Sequence, residues 1–203
     1  MLDDLLAGRL SFAELLEWLI AVVIAITVHE YAHAKRAQLA GDPTPQYQGR
    51  VTLNPLSHLD PIGTLTLLLF GLGWGRPVPV NPLNFRRGRY DDLMVSLWGP
   101  LSNLLVAAAF AIPVRLGLAP AHAGLFTTIA LVNLLLCFFN LLPIHPLDGS
   151  HVVANLLPPR QAIAFREFNH RWGLVILLVI IFTRIGDILF VAPAVNLLHF
   201  LVG

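Results

Sequence analysis

The sequence predicts an all-α polytopic membrane protein with about four to five transmembrane helices, a short re-entrant or interfacial segment and small extended pieces. Three observations carry that prediction. Hydrophobic residues make up 56% of the 203-residue chain and charged residues only 12%, where an average soluble domain carries about 25% charge. Mean hydropathy is +0.72. The apolar residues also gather in stretches that match the ~20 residues a helix needs to cross a bilayer. This composition excludes a disordered chain, a basic nucleic-acid-binding domain and an ordinary soluble enzyme. A formal net charge of +1 offers no bulk field to draw nucleic acid. The single cysteine, Cys137, lies in an apolar run, so a disulfide framework and a cysteine metal site are both excluded.

The elements follow in chain order. Met1-Leu2-Asp3-Asp4 is acidic where a secretory signal is basic, so every hydrophobic segment is expected in the mature chain. The first span is expected from about Leu15 to Ala34, with Lys35 and Arg36 just beyond it. From Gly41 to Pro61 the texture changes to turns, punctuated by Gly41-Asp42-Pro43, Asn54-Pro55 and Asp60-Pro61, with strand composition over 49–53. Pro61 to Gly75 is apolar but only about 15 residues long, which suits a re-entrant or interfacial segment. The run from Arg76 to Pro82 must be extended, because each residue before a proline is pushed out of the helical region. A second span is expected from about Leu93 to Leu116 and a third from about Gly124 to Ile144. From Trp172 onward the chain reads as one span plus an interfacial helix or as a tight hairpin of two, broken near Arg184, Asp187 and Pro193. The whole reads as a single integral-membrane domain, residues 1–203, with a core over about 15–151 and additional membrane segments over 172–203.

Charge sets the expected orientation. Lys35, Arg36 and Arg50 follow the first span, Arg76, Arg86, Arg87 and Arg89 precede the second, and Arg160, Arg166 and Arg171 follow the third. Excess Lys and Arg mark cytoplasmic loops. These loops then face inward and the N-terminus outward, and the parity closes only if 61–75 enters and leaves on one side.

The chemistry lies at His29-Glu30-Tyr31-Ala32-His33. Histidines four residues apart stand one above the other on a helix, so both rings reach one ion, while Glu30 projects about 100° to the side. This is the H-E-x-x-H pattern of zinc hydrolases, two ligands and a general base. Three ionisable groups within two turns of an apolar helix are costly unless paired or bound to a cation. A catalytic zinc needs a third protein ligand and an open position. The third span ends in Asn140-Leu-Leu-Pro143-Ile-His145-Pro-Leu-Asp148-Gly149-Ser-His151. The first and third spans run in the same direction, so Asp148 arrives at the depth of His33. His145 and His151 are rival ligands, and a carboxylate beside two imidazoles is the preferred set. His58, His122, His170 and His199 read as interfacial residues.

These residues resemble the two signatures of the site-2 proteases, which are intramembrane zinc metallopeptidases. Gly41-Asp42-Pro43-Thr44, Gly49-Arg50, Asn54-Pro55, Pro77-Val-Pro-Val-Asn81-Pro82 and Gly99-Pro100-Leu-Ser-Asn103 look like the compact bacterial branch without a PDZ domain. The resemblance covers about 25–151. One departure is His145, which stands where that branch carries proline. The resemblance implies one Zn2+ held by His29, His33 and Asp148, with Glu30 as general base. It also implies Asn103 and Asn140 as substrate-orienting or oxyanion-stabilising groups, although both read equally well as amides that bond between helices. The implied activity is hydrolysis of peptide bonds in or near transmembrane segments of a membrane-protein substrate, at the cytoplasmic side of a bacterial-type cell membrane. Such a substrate would unwind, and Val51–Leu53 or Val78–Val80 are candidate edges for it to pair with, although a loop packed on its own protein is the favoured reading of both. The other classes that fit the composition are a catalytically silent membrane zinc-binding scaffold and a metal transporter. The transporter predicts more ionisable groups within the spans than the sequence holds.

Overall fold

The computed structural model describes residues 11–70 and 73–203. The acidic N-terminal tetrapeptide lies outside the described residues. Helix α1 (Phe12–Ala40) opens on a capping box in which Ser11 and Glu14 satisfy each other's backbone N–H groups. It closes at Gly41, whose φ of 107° supplies the left-handed stop. α1 therefore outlasts the expected span: Lys35 and Arg36 ride on its last turns, and the helix ends at the glycine rather than at the charges.

A one-turn helix, α2 (Thr44–Tyr47), and a 3₁₀ turn, Pro55–Ser57, fill the region expected to contain a strand. No strand forms at 49–53: Gly49 takes a φ of 65°, the next residues bend, and Asn54 caps the turn through its side chain. Helix α3 (Pro61–Phe70) is ten residues long, about 15 Å at 1.5 Å per residue, half the hydrocarbon thickness. Its flanks are held together. Leu59 and Gly75 form an isolated antiparallel bridge, and the Arg76 N–H donates to the His58 carbonyl at 2.7 Å. The segment thus leaves and returns at one point, as the charge parity requires. Gly63 and Gly73 permit this closure, because a Cβ at Gly63 would collide with the Trp74 carbonyl and one at Gly73 with that of Gly63.

Helix α4 (Arg89–Arg115) accommodates Pro100 and Pro113, and α5 (Ala123–Asn140) ends just before Pro143. α6 (Asp148–Leu156) is short. α7 (Pro159–Phe182) begins well before Trp172, then the chain bends by 83° through a π-helical turn, Asp187–Val191, into α8 (Ala192–Val202). Among the described residues three helical segments are long and apolar enough to span a membrane, Phe12–Ala40, Arg89–Arg115 and Pro120–Asn140, and the bent pair makes a fourth if it crosses as one unit. This is an all-α polytopic membrane protein, at the lower end of the expected span count.

α1, α4 and α5 pack against one another, and α8 returns onto α4 and α5. The contacts are small: Ala107 and Ala111 of α4, Ala130 of α5 and Ala194 of α8 share one cluster with Leu134 and Leu198. In lipid, close approach of small residues replaces the hydrophobic drive between helices. Asp42 fastens the loops to the end of α1. It is fully buried and accepts from the Thr44 N–H and hydroxyl, the Asn81 N–H at 2.7 Å and the Asn84 amide at 2.8 Å. Burial alone would raise its carboxyl, but these donors hold it below the ordinary carboxylate value.

The sign of the linkage follows. A depressed native pKa stabilises the fold fully above the unfolded value of about 4, and the contribution fades as pH falls through the native pKa. Asp42→Asn should be less stable than wild type by roughly 1–3 kcal/mol at pH 7. Thermal denaturation in detergent from pH 7 down to pH 3 should show that gap closing, and a constant gap contradicts the assignment.

Candidate metal centre

Near the C-terminal end of α1 the two imidazoles turn inward, 6% and 9% exposed. His33 Nε2 lies 3.0 Å from His29 Nε2. Asp148 Oδ2, from the first residue of α6, lies 3.1 Å from His29 Nε2 and 3.2 Å from His33 Nε2. Among the described residues these three form the one group of histidine, cysteine and carboxylate donors close enough to share an ion.

The far sides of the rings decide what the triangle can be. His29 Nδ1 is 2.7 Å from Asn103 Oδ1, and His33 Nδ1 is 2.8 Å from the Val95 carbonyl. Both partners are oxygen acceptors. The Asn103 amide is oriented because its nitrogen end donates to the Ala25 carbonyl at 3.0 Å. Each ring therefore donates through Nδ1–H and, when neutral, presents a bare lone pair at Nε2. Two lone pairs and a carboxylate oxygen then face one another with no proton between them. Such a cluster is repulsive until a proton or a metal cation enters it. A tetrahedral ion at about 2.0–2.1 Å from its donors holds them about 3.3 Å apart, close to the separations present. The donor set fits a borderline divalent metal.

The chain makes room for this contact. A Cβ at Gly99 of α4 would collide with His33 Nε2 and lie 2.8 Å from His29 Cε1. A Cβ at Gly149 would collide with the Leu141 and Leu142 carbonyls, so this glycine lets α6 start directly against the end of α5. Arg89 holds α6 from the other end by donating to the Ala154, Asn155 and Leu157 carbonyls.

A cavity of about 490 Å³ opens onto the triangle, lined by His29, Glu30, His33, Asp148, Asn140 and the extended segment from Pro77. Glu30 Oε2 accepts the Val78 N–H at 3.0 Å, so this carboxylate is pinned beside the metal cradle. Arg50, buried behind the loop, donates to the Arg76 carbonyl. Burial lowers its pKa, and the charge of Glu30 works in the opposite direction.

The structure brings His29, Glu30, His33, Asp148 and Asn140 to one cavity. Asn103 is elsewhere: it is fully buried behind His29, with its amide spent on His29, the Ala25 carbonyl and the Asn133 side chain, and it is not among the residues that line the cavity. His145 is not in the ligand group. It lines a separate cavity of about 410 Å³ with His151 and His170, its N–H accepted by the Asn169 side chain. Burial, and then His151 and His170, lower its imidazole pKa. His151 borders both cavities. His58 is no interfacial residue, since it is fully buried and donates through Nε2 to the Thr52 carbonyl. The proposed edges also change: Val51–Leu53 is a bend, and the Val78 N–H is already spent on Glu30. Gly99 was legible only as part of Gly99-Pro100; its task, space for two rings, depends on a partner helix 66 to 70 positions away in sequence.

Fold and site together define a polytopic membrane protein with a metal cradle of hydrolase type. The profile of Peptidase family M50 matches residues 118–182, the stretch that contributes Asp148. The chain is 39% identical over 178 residues to "Putative zinc metalloprotease YwhC" of Bacillus subtilis strain 168, covering 83% of this chain and 81% of that protein. It is 30% identical over 169 residues to "Putative zinc metalloprotease Rip2" of Mycolicibacterium smegmatis, covering 79% and 64%. Against the protein of the same name from Mycobacterium tuberculosis H37Rv it is 32% identical over 183 residues, covering 86% and 66%. No solved structure matches at a significant level. The chain belongs to peptidase family M50, the site-2 protease family.

Gly99→Ala should force the two rings apart. Overpacking of this kind costs about 1–3 kcal/mol, so affinity for a divalent metal should fall roughly 10- to 100-fold while far-ultraviolet helicity is kept. Chelator competition on the purified variant measures it.

Proposed function

We propose that this protein is a zinc-dependent intramembrane endopeptidase that hydrolyses peptide bonds in or near transmembrane segments of membrane-protein substrates. One observation carries the reading: two imidazole nitrogens and a carboxylate oxygen converge closely enough to share one ion, and a pinned carboxylate shares their cavity. His29, His33 and Asp148 are the zinc ligands, and Glu30 is the general base. The chemistry a bound zinc supplies is Lewis-acid polarisation of the scissile carbonyl and acidification of water.

The remaining work falls to the chain. The Glu30 carboxylate takes a proton from the attacking water and returns it to the leaving amine nitrogen. The Val78 N–H holds that carboxylate in place through one oxygen. Asn140, at the cavity edge, is a hydrogen-bond donor for the developing oxyanion. Leu136, Phe139, Trp74 and Val80 line the cavity and suit the apolar side chains of an unwound membrane segment. The extended run from Pro77 lies along one wall, and a substrate strand would align with it through groups other than the Val78 N–H.

Orientation supports the same reading. The site sits near Lys35 and Arg36 at the end of α1 and near Arg86, Arg87 and Arg89 at the start of α4, which supports a cytoplasmic-side position under the positive-inside rule.

Glu30→Gln should retain one zinc per chain and lose cleavage of single-span peptides by about 10²- to 10⁴-fold. His29→Ala and Asp148→Ala should lose stoichiometric zinc by elemental analysis. Zinc-loaded wild type that cleaves none of a broad peptide panel would instead support the silent scaffold.

A further inference from the structure

Two asparagines in the membrane-spanning helices are fully buried, Asn103 of α4 and Asn133 of α5. Their amides form a directional chain. The Asn133 Nδ2 donates to the Ile129 carbonyl at 2.9 Å. Asn133 Oδ1 accepts from Asn103 Nδ2 at 2.9 Å, and the same nitrogen also donates to the Ala25 carbonyl of α1 at 3.0 Å. Asn103 Oδ1 is left for the His29 Nδ1–H at 2.7 Å. Three helices are thus joined head to tail, each bond polarising the next.

We infer that Asn133, which touches no metal ligand, is a positioning residue for the metal centre, acting through Asn103 to keep the His29 proton on Nδ1 and its Nε2 lone pair on the ion. The inference rests on His29 being a metal ligand, as proposed above. A buried amide that merely glues helices together has no preferred direction. Here the direction is dictated. Both protons of the Asn103 amide have oxygen acceptors, Ala25 O and Asn133 Oδ1, so the group cannot flip without placing N–H against N–H. If Asn133 is removed, the Ala25 carbonyl alone holds the amide, and turning its nitrogen toward His29 costs one acceptor contact fewer. That turn would demand a lone pair at Nδ1 and drive the ring proton to Nε2, into the metal cradle. The hydrogen bond at one ring nitrogen decides the state of the other, and partners of this kind typically change metal affinity 10- to 100-fold.

The test uses the full-length protein in detergent. Zinc affinity is measured by chelator competition, and the His29 tautomer by nitrogen NMR of histidine-labelled apo-protein. Wild type should show a protonated Nδ1 and a bare Nε2. Asn133→Leu should weaken zinc binding about 10-fold and mix the tautomers. Asn133→Asp, which keeps an acceptor for Asn103, should stay within threefold of wild type. Asn103→Leu should weaken binding more, and adding Asn133→Leu to it should cost nothing further, because Asn133 acts only through Asn103. Should Asn133→Leu fail to fold, Asn133→Ala and the wild-type tautomer carry the test. Three results overturn the inference: a wild-type proton on Nε2, unchanged affinity in a folded Asn133 variant with only its melting temperature lowered, or additive losses in the double variant. Wild type that binds no zinc overturns the metal-ligand reading itself, a separate outcome.

Discussion

Two imidazole nitrogens and a carboxylate oxygen within 3.2 Å of one another, inside a helix bundle, are the constraint around which this molecule is arranged. In a low-dielectric interior such a cluster is unfavourable by itself, and an entering cation turns the same contacts into its coordination shell. The two Nδ1–H groups, bonded to Asn103 and to the Val95 carbonyl, fix both rings with Nε2 aimed into the cluster. The cradle is therefore set for a metal by groups that would never appear among its ligands.

Much of the surrounding fold reads as a means of bringing those acceptors together. α1 and α4 approach closely enough that only glycine fits at 99, and α5 gives way to α6 so abruptly that only glycine fits at 149. Arg89 and Asn155 fasten α6 back to the start of α4. Asp42 gathers the Thr44 turn and the Asn81–Asn84 turn under the end of α1. The loop motifs, which look like scattered turn punctuation in the sequence, are one hydrogen-bonded brace in space.

The short helical hairpin has a more specific consequence. Because Leu59 and Gly75 pair, the chain leaving the hairpin is delivered directly to the site, and within three residues Val78 reaches Glu30. The segment walling the cavity and the segment orienting the proposed base are therefore the same stretch of chain.

The sequence by itself determined the membrane class, the places of the main spans and the helical spacing of His29 with His33, because hydropathy and i, i+4 spacing are local properties that need no partner; the expectation of Asp148 beside them drew on the direction of two spans. It also made the same-side return of 61–75 necessary through charge parity. Only the tertiary structure decided that 49–53 bends instead of forming a strand, that the C-terminal apolar stretch turns by 83°, that His145 faces a different cavity, and that Asn103 stands behind a ligand instead of before the substrate. Each of these depends on which atom a polar group meets across a helix interface. A proton's position on His29 is settled by an oxygen 74 residues away, and no periodicity along the chain encodes that distance.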